Sequence, residues 1–422
     1  MKQKRVWILL LVLALILAAC GGGNTTTNNG DTAPAENTAP AENTAPAENA
    51  APAEEEAVAD VSADADTEGM EAVRIAIVMP STISDLAWSQ AMYDALLRLQ
   101  EAAGADMVEI AYTENMFNVT DAAAAIRDYA ADGYNLVIAH GTQYGTSLFE
   151  IAPDFPETSF AWGTAVDTGK DQGLENVFAY EARAEQGGYV NGVLAGKLTQ
   201  TGVIGVVGPV EAGDAKLYID GFVAGVHAAN PDAQVNVSYT GSFGDTALAA
   251  EAANTHIAAG ADILTGSAQQ VVGAIGVAQE KGVLWMGTQS DQTELAPDIV
   301  VASQIFDWDG VLADIIKKHQ AGEYGGTAYA LSLANGGLVM QFADSLDADA
   351  VAAANAASDE IAAGSIDVMA IMEGGMMPAE EETSEAPMME YPDIEPIKIA
   401  LVMPSTISDL AWSQSMYDSL RL

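Results

Sequence analysis

The chain has 422 residues, and its 60 Asp and Glu against 15 Lys and Arg leave a formal net charge of −45. That acid excess excludes nucleic acid as a partner, because phosphate binding needs clustered Lys and Arg, and it offers anionic lipid surfaces nothing to attract. One cysteine, Cys20, excludes an internal disulfide.

Lys2, Lys4 and Arg5 precede an unbroken apolar run from Val6 to Ala19. The run is too short to span about 30 Å of hydrocarbon as a helix, but residues 1–19 suit a secretory signal peptide. It ends Leu17-Ala18-Ala19-Cys20-Gly21, which resembles a lipobox, the recognition sequence of bacterial lipoproteins. Cys20 is either an incidental thiol or the diacylated first residue of the mature protein, and two acyl chains hold a membrane far better than one. The second reading places the protein on the extracytoplasmic side of the cell membrane, held by its lipid. Residues 20–70 then repeat Thr32-Ala-Pro-Ala-Glu-Asn37 at Thr38 and Thr44. Such composition provides nothing large to bury, so the sequence predicts a disordered tether with a reach of roughly 40 Å.

The folded module is expected over residues 71–364. Apolar runs at 74–79, 107–112, 135–139, 160–162, 177–180, 203–207, 235–239, 262–264, 283–286 and 299–305 read as strands. Amphipathic stretches at 121–131, 184–198, 216–229, 248–259 and 270–281 read as helices. Strands that are apolar throughout, alternating with helices, predict parallel sheets covered on both faces. A span of ~300 residues exceeds one comfortable core, so two lobes are expected. Residues 365–396 are Met-rich and acidic and read as a linker. Residues 397–422 repeat the start of the module, Ile399 to Asp418 matching the words that begin at Ile75. The chain therefore reads as a tandem with only its first unit complete.

Catalytic signatures are scarce. His140, His227, His256 and His319 are scattered and form no metal set. Gly192-Val-Leu-Ala-Gly196-Lys197 is one residue short of a phosphate loop, and Leu198 stands where Ser or Thr would hold magnesium, so it reads as helix packing. There is no Gly-x-Ser-x-Gly elbow. Neither a metal nor a cofactor is expected, and the chain does not read as an enzyme.

What remains is aromatic and polar residues at the carboxyl ends of the predicted strands, where open α/β sheets bind ligands. Asp85 and Trp88 follow the first strand, and Gly141 and Tyr144 follow the third. Phe243 and Asp245 lie after the strand ending at Tyr239, Asp291 after Met286, and Trp308 after Ile305. Several have a plain alternative: Asp85 and Asp291 as helix caps, like Asp309 after Trp308, Trp88 and Phe243 as packing, and His140, at the end of the third strand, as a hydrogen bonder.

These residues, from Arg74 to about Asp344, resemble the basic membrane protein (BMP) or PnrA-like family, the lipoprotein substrate-binding components of ABC importers. Tyr180-Glu-Ala-Arg-Ala-Glu-Gln-Gly-Gly-Tyr-Val-Asn-Gly192 carries the likeness most fully. Asp85-Leu-Ala-Trp-Ser-Gln90, Gly205-Val-Val-Gly-Pro209, Gly241-Ser-Phe-Gly-Asp245 and Gly287-Thr-Gln-Ser-Asp-Gln292 follow in the family's order. The resemblance implies an α/β fold of two Rossmann-like lobes, the type I periplasmic-binding architecture, hinged by three crossovers of which the first falls near 181. It implies a purine nucleoside as ligand and an ABC permease and ATPase as partners. It makes Trp88 and Phe243 stacking candidates, Asp85 and Asp291 polar clamps, and Gln90 part of the first ligand loop. Where nucleoside binders often carry a lysine, this chain reads Gln304-Ile-Phe306-Asp-Trp308. A sensor of the same fold is the alternative function. A secreted nucleoside hydrolase would need a base, metal set or nucleophile elbow that this sequence does not show.

Overall fold

The computed structural model describes residues 58–59 and 61–374. The signal-like run, Cys20 and the repeat from Ile399 lie outside the described residues.

Ten strands alternate with helices along the first 250 or so described residues. The first five are β1 Val73–Val78, β2 Val108–Thr113, β3 Leu136–His140, β4 Ser159–Gly163 and β5 Val177–Ala182. The next five are β6 Val203–Gly208, β7 Gln234–Tyr239, β8 Ile263–Gly266, β9 Leu284–Gln289 and β10 Val300–Phe306. The chain then returns to the first sheet for β11, Ala328–Leu331, and to the second for β12, Leu338–Phe342. The sheets run β11-β5-β4-β3-β1-β2 and β12-β10-β9-β8-β6-β7. Every pairing is parallel except β10 with β12. Strands β1, β3 and β8 are buried nearly throughout, as their unbroken apolar character requires when helices cover both faces.

The covering helices are α1 Trp88–Ala103, α2 Val119–Ala131 and α3 Gly145–Ile151 on the first lobe. On the second lie α4 Ala184–Leu198, α5 Gly213–Ala229, α6 Thr246–Ala258 and α7 Val271–Lys281. Helix α8, Asp309–Gln320, returns to the first lobe, where Asp309 pairs with Arg98 of α1 at 2.6 Å. Helices α9, Ala348–Ala362, and α10, Val368–Met372, pack on the second. The chain thus crosses between lobes three times: after β5, after β10, and between β11 and β12.

Helices α4 and α5 touch backbone to backbone. A Cβ on Gly192 would lie 2.1 Å from the Phe222 carbonyl oxygen, and one on Gly225 would lie 2.0 Å from that of Tyr189. Gly188 and Gly221 meet the facing helix in the same way. The Gly192–Gly196 spacing therefore serves helix packing.

Two predicted boundaries move outward. Residues 58–59 and 61–70 belong to the fold rather than to a disordered tether. The Ala59 amide donates to the Ala328 carbonyl at 2.7 Å, covering the otherwise free edge of β11, and Met70 is buried. Residues 365–374 are folded too, with Ile366 and Val368 buried and Asp367 capping α10, so the linker begins later than 365. The sequence reading also passed over β11, β12 and α9, which are short, on a sheet edge, or alanine-rich.

Candidate functional site: a cavity between the lobes

In each sheet the strand order reverses at the first strand, between β1 and β3 and between β6 and β8. Loops leaving the carboxyl ends of neighbouring strands diverge at such switch points and leave a crevice. The two crevices face each other across one cavity of about 320 Å³. The first lobe contributes Pro80, Trp88, Phe117, Gly141 and Thr164; the second contributes Asp214, Phe243, Ala268, Gln269 and Gln289.

Three hydrogen bonds join the lobes beside it. Ser290 Oγ donates to the Ala87 carbonyl at 2.8 Å, Gln292 Nε2 to that of Leu86 at 3.1 Å, and Thr164 Oγ1 to Asp214 Oδ1 at 2.5 Å. The backbone is strained on both sides. Ala268 (φ 70°) and Gln289 (φ 77°) lie in the wall, and Leu86 (φ 51°) lies just before Trp88. Non-glycine residues in this region cost about 1–3 kcal/mol each and gather at functional sites.

Of the nine residues expected to touch ligand, Trp88, Gly141 and Phe243 line the cavity. Trp88 is locked in place: its ring stacks on His140 with centroids 4.1 Å apart, and its Nε1 donates to the His140 carbonyl at 3.1 Å. One ring face is therefore already covered. Phe243 is 43% exposed and Phe117 49%, so both present ring surface.

The other six do not line it, for a common reason: their polar groups are engaged locally or their rings are buried. The Asp85 carboxylate accepts from the Ala87, Ser89 and Gln90 amides at 2.9, 3.1 and 3.0 Å and so caps α1. Burial pushes its pKa up, and those three bonds pull it back. Gln90 accepts from the Leu86 amide and donates to Asp94. Tyr144 is buried and donates to the Met116 carbonyl at 2.7 Å. Asp245 caps α6, and Asp291 accepts from the Thr293 amide at 2.8 Å. Trp308 is fully buried against Trp88, Phe306 and Tyr180, with centroids 5.0–6.0 Å from its own.

Phe117, Thr164, Asp214 and Gln269 are lining residues that the sequence did not single out, and Gln289 stood only inside the stretch Gly287-Thr-Gln-Ser-Asp-Gln292. Thr164, Gln269 and Gln289 end or closely follow strands β4, β8 and β9, so the strand-end rule contained them, whereas Asp214 and Phe117 lie farther along the loops after β6 and β2. Asp214 is the most perturbed: burial pushes its carboxyl up to about 7, the Thr164 hydroxyl opposes this, and Glu181 and Glu185 reinforce it.

Among the described residues, none that lines the cavity is an activated nucleophile. His140, behind Trp88, is completely buried; burial lowers its pKa to about 3, while its nitrogens bond Tyr180 Oη and the Trp88 carbonyl. No group of His, Cys, Asp and Glu among the described residues is placed to hold a metal. Aromatic surface with a few fixed polar atoms suits binding of a small molecule.

Two parallel-sheet lobes around a ligand-sized cavity define the class: a bilobal solute-binding protein. An ABC transporter solute-binding protein of Conexibacter woesei superposes with a TM-score of 0.59 at 26% identity, covering 70% of this chain and 98% of that one. The chain belongs to the family of PnrA-like ABC transporter substrate-binding proteins, whose profile matches residues 72–371. It is 30% identical over 247 residues to a purine-binding protein of Brucella abortus, covering 58% of this chain and 69% of the relative. It is 26% identical over 264 residues to the transcriptional activator protein Med of Bacillus subtilis, covering 62% and 80%. Family membership implies a small-molecule ligand and a permease partner.

Proposed function

We propose that this protein captures a purine nucleoside between its lobes and delivers it to an ABC permease and its ATPase, while a lipid on Cys20 holds it at the outer face of the cell membrane. The observation that carries the ligand reading is the cavity itself. Aromatic rings of Trp88, Phe117 and Phe243 offer flat surface to a base, and Asp214, Gln269 and Gln289 offer oxygens to hydroxyl and N–H groups. The Brucella relative's purine binding supports it. Acylation of Cys20 rests on the lipobox alone, and palmitate labelling lost in Cys20→Ser would test it.

A thermal-shift screen against nucleosides, nucleobases, sugars and vitamins tests the ligand. A ligand at 100 times its Kd stabilises by roughly 2.7 kcal/mol, enough to raise the melting temperature by several degrees. No shift with any purine nucleoside would sink the nucleoside reading. Phe243→Ala should then weaken binding about tenfold or more, since stacking on an aromatic contributes roughly 1–3 kcal/mol per base. Its folding should survive because the ring is already half in solvent. Unchanged affinity would remove Phe243 from the site.

The likeness to Med favours one second reading, a ligand sensor of the same fold. Permease and ATPase genes beside this one would favour transport.

A further inference from the structure

Asp214 stands in the first turn of α5, 8% exposed, in the cavity wall. Its Oδ1 is held by Thr164 from the opposite lobe, and its buried Oδ2 has no hydrogen-bond partner. Gln269 Oε1 and Gln289 Oε1, in the same wall, are also buried and unpartnered. A buried acceptor left without a donor costs free energy, and three gathered around one cavity mark the side from which donors are missing.

We infer that Asp214 is a specificity-determining residue that accepts a hydrogen bond from a ligand O–H or N–H on Oδ2, while Thr164 holds Oδ1 and so ties that contact to closure of the lobes. The inference rests on the solute-binding reading above. It selects uncharged ligands rich in donors and rejects phosphorylated ones. Glu181 on β5 and Glu185 on α4 are further carboxyls near enough to push the Asp214 carboxyl up, and each adds negative charge there once ionised. Arg183 lies 3.7 Å from Glu181, and Lys216, on Asp214's own helix, is paired with Asp220. An anion would therefore meet like charge in a low-dielectric cleft.

The test is calorimetric titration of wild type, Asp214→Ala, Asp214→Asn and Thr164→Val with adenosine, guanosine, inosine, inosine 5′-monophosphate, adenine, ribose and glucose. Asp214→Ala and Asp214→Asn should weaken the best-bound uncharged probe by more than about tenfold, the loss typical of a hydrogen bond to a charged group. Thr164→Val should weaken it less and mainly speed its release. The phosphorylated probe should bind worse than inosine. Melting curves without ligand report whether each variant folds, and Asp214→Asn, nearly isosteric, serves if Asp214→Ala does not. Equal affinity in wild type and Asp214→Asn would overturn the inference and leave the transport reading intact. Tighter binding of inosine 5′-monophosphate than of inosine would overturn it too. Binding of ribose or glucose alone, still lost at Asp214, would overturn the nucleoside reading and support this one. No binding by wild type would overturn both.

Discussion

Gly192→Ala should lower the melting temperature by about 10 °C or prevent folding altogether. Extra atoms in a packed core cost typically 1–3 kcal/mol when neighbouring side chains can shift. Here the obstacle is the Phe222 carbonyl, 2.1 Å from the added carbon, on a helix held by its own hydrogen bonds. Relief requires α4 and α5 to separate, which would loosen Tyr189, Val190, Tyr218 and Phe222 in the core between them. Gly225→Ala meets the Tyr189 carbonyl at 2.0 Å and should behave alike. Gly276→Ala is the control. It lies in α7 with nothing within 4 Å of the new carbon, and alanine in a helix gains roughly 0.5–1 kcal/mol over glycine. Its melting temperature should hold or rise. Equal effects at 192 and 276 would show that the helices do not meet as described.

Glu185→Gln should stabilise the protein at pH 8 and change it little at pH 4.5. Glu185 opens α4, 2% exposed, with Oε2 unpartnered. Burial pushes its pKa up to about 7 from an ordinary 4.5; a backbone bond and Arg183 oppose this, and the charges of Glu181 and Asp367 reinforce it. Between those values the folded protein binds a proton that the unfolded chain releases, so stability falls as pH rises through the window. Below 4.5 both states are protonated and the group is silent. Above 7 the folded state carries a buried charge, a cost of roughly 3 kcal/mol. Glutamine keeps the shape and removes the charge. Urea unfolding midpoints of both proteins at the two pH values check this, and a pH-independent difference would show that Glu185 does not titrate in the window.

The parallel strands were legible in the sequence because burial on both faces leaves an unbroken apolar run. Strand β12 was not: Val339 is exposed and Gln341 polar, as an edge allows, so its pattern resembles loop. Strand β11, Ala-Tyr-Ala-Leu, is as short as β8 but half alanine, a residue that favours helix and is depleted in strands, so nothing marks it as a strand. At the candidate site, the rule that ligands lie beyond strand ends led to the loops around the cavity but not to most of the residues that line it. An Asp between a strand and a helix is as suited to capping the helix as to holding a ligand, and Asp85, Asp245 and Asp291 all bond nearby amides. Which loop residue faces a cavity depends on how two lobes meet. That explains why Asp214, several residues beyond β6, and Phe117, beyond β2, were invisible beforehand.

The segment at the start of the described chain has a mechanical consequence. Ala59 bridges to Tyr329 on β11, and the Ala63 amide bonds the Asn335 carbonyl in the connection from β11 to β12. The Ser62 carbonyl lies against Gly310, just past the crossing that follows β10. A pull on residue 58 therefore acts beside the pivot of the two lobes, where the lever arm is short and the torque small. Residues 59, 62 and 63 thus bind the connections that join the lobes to one another, away from the cavity mouth.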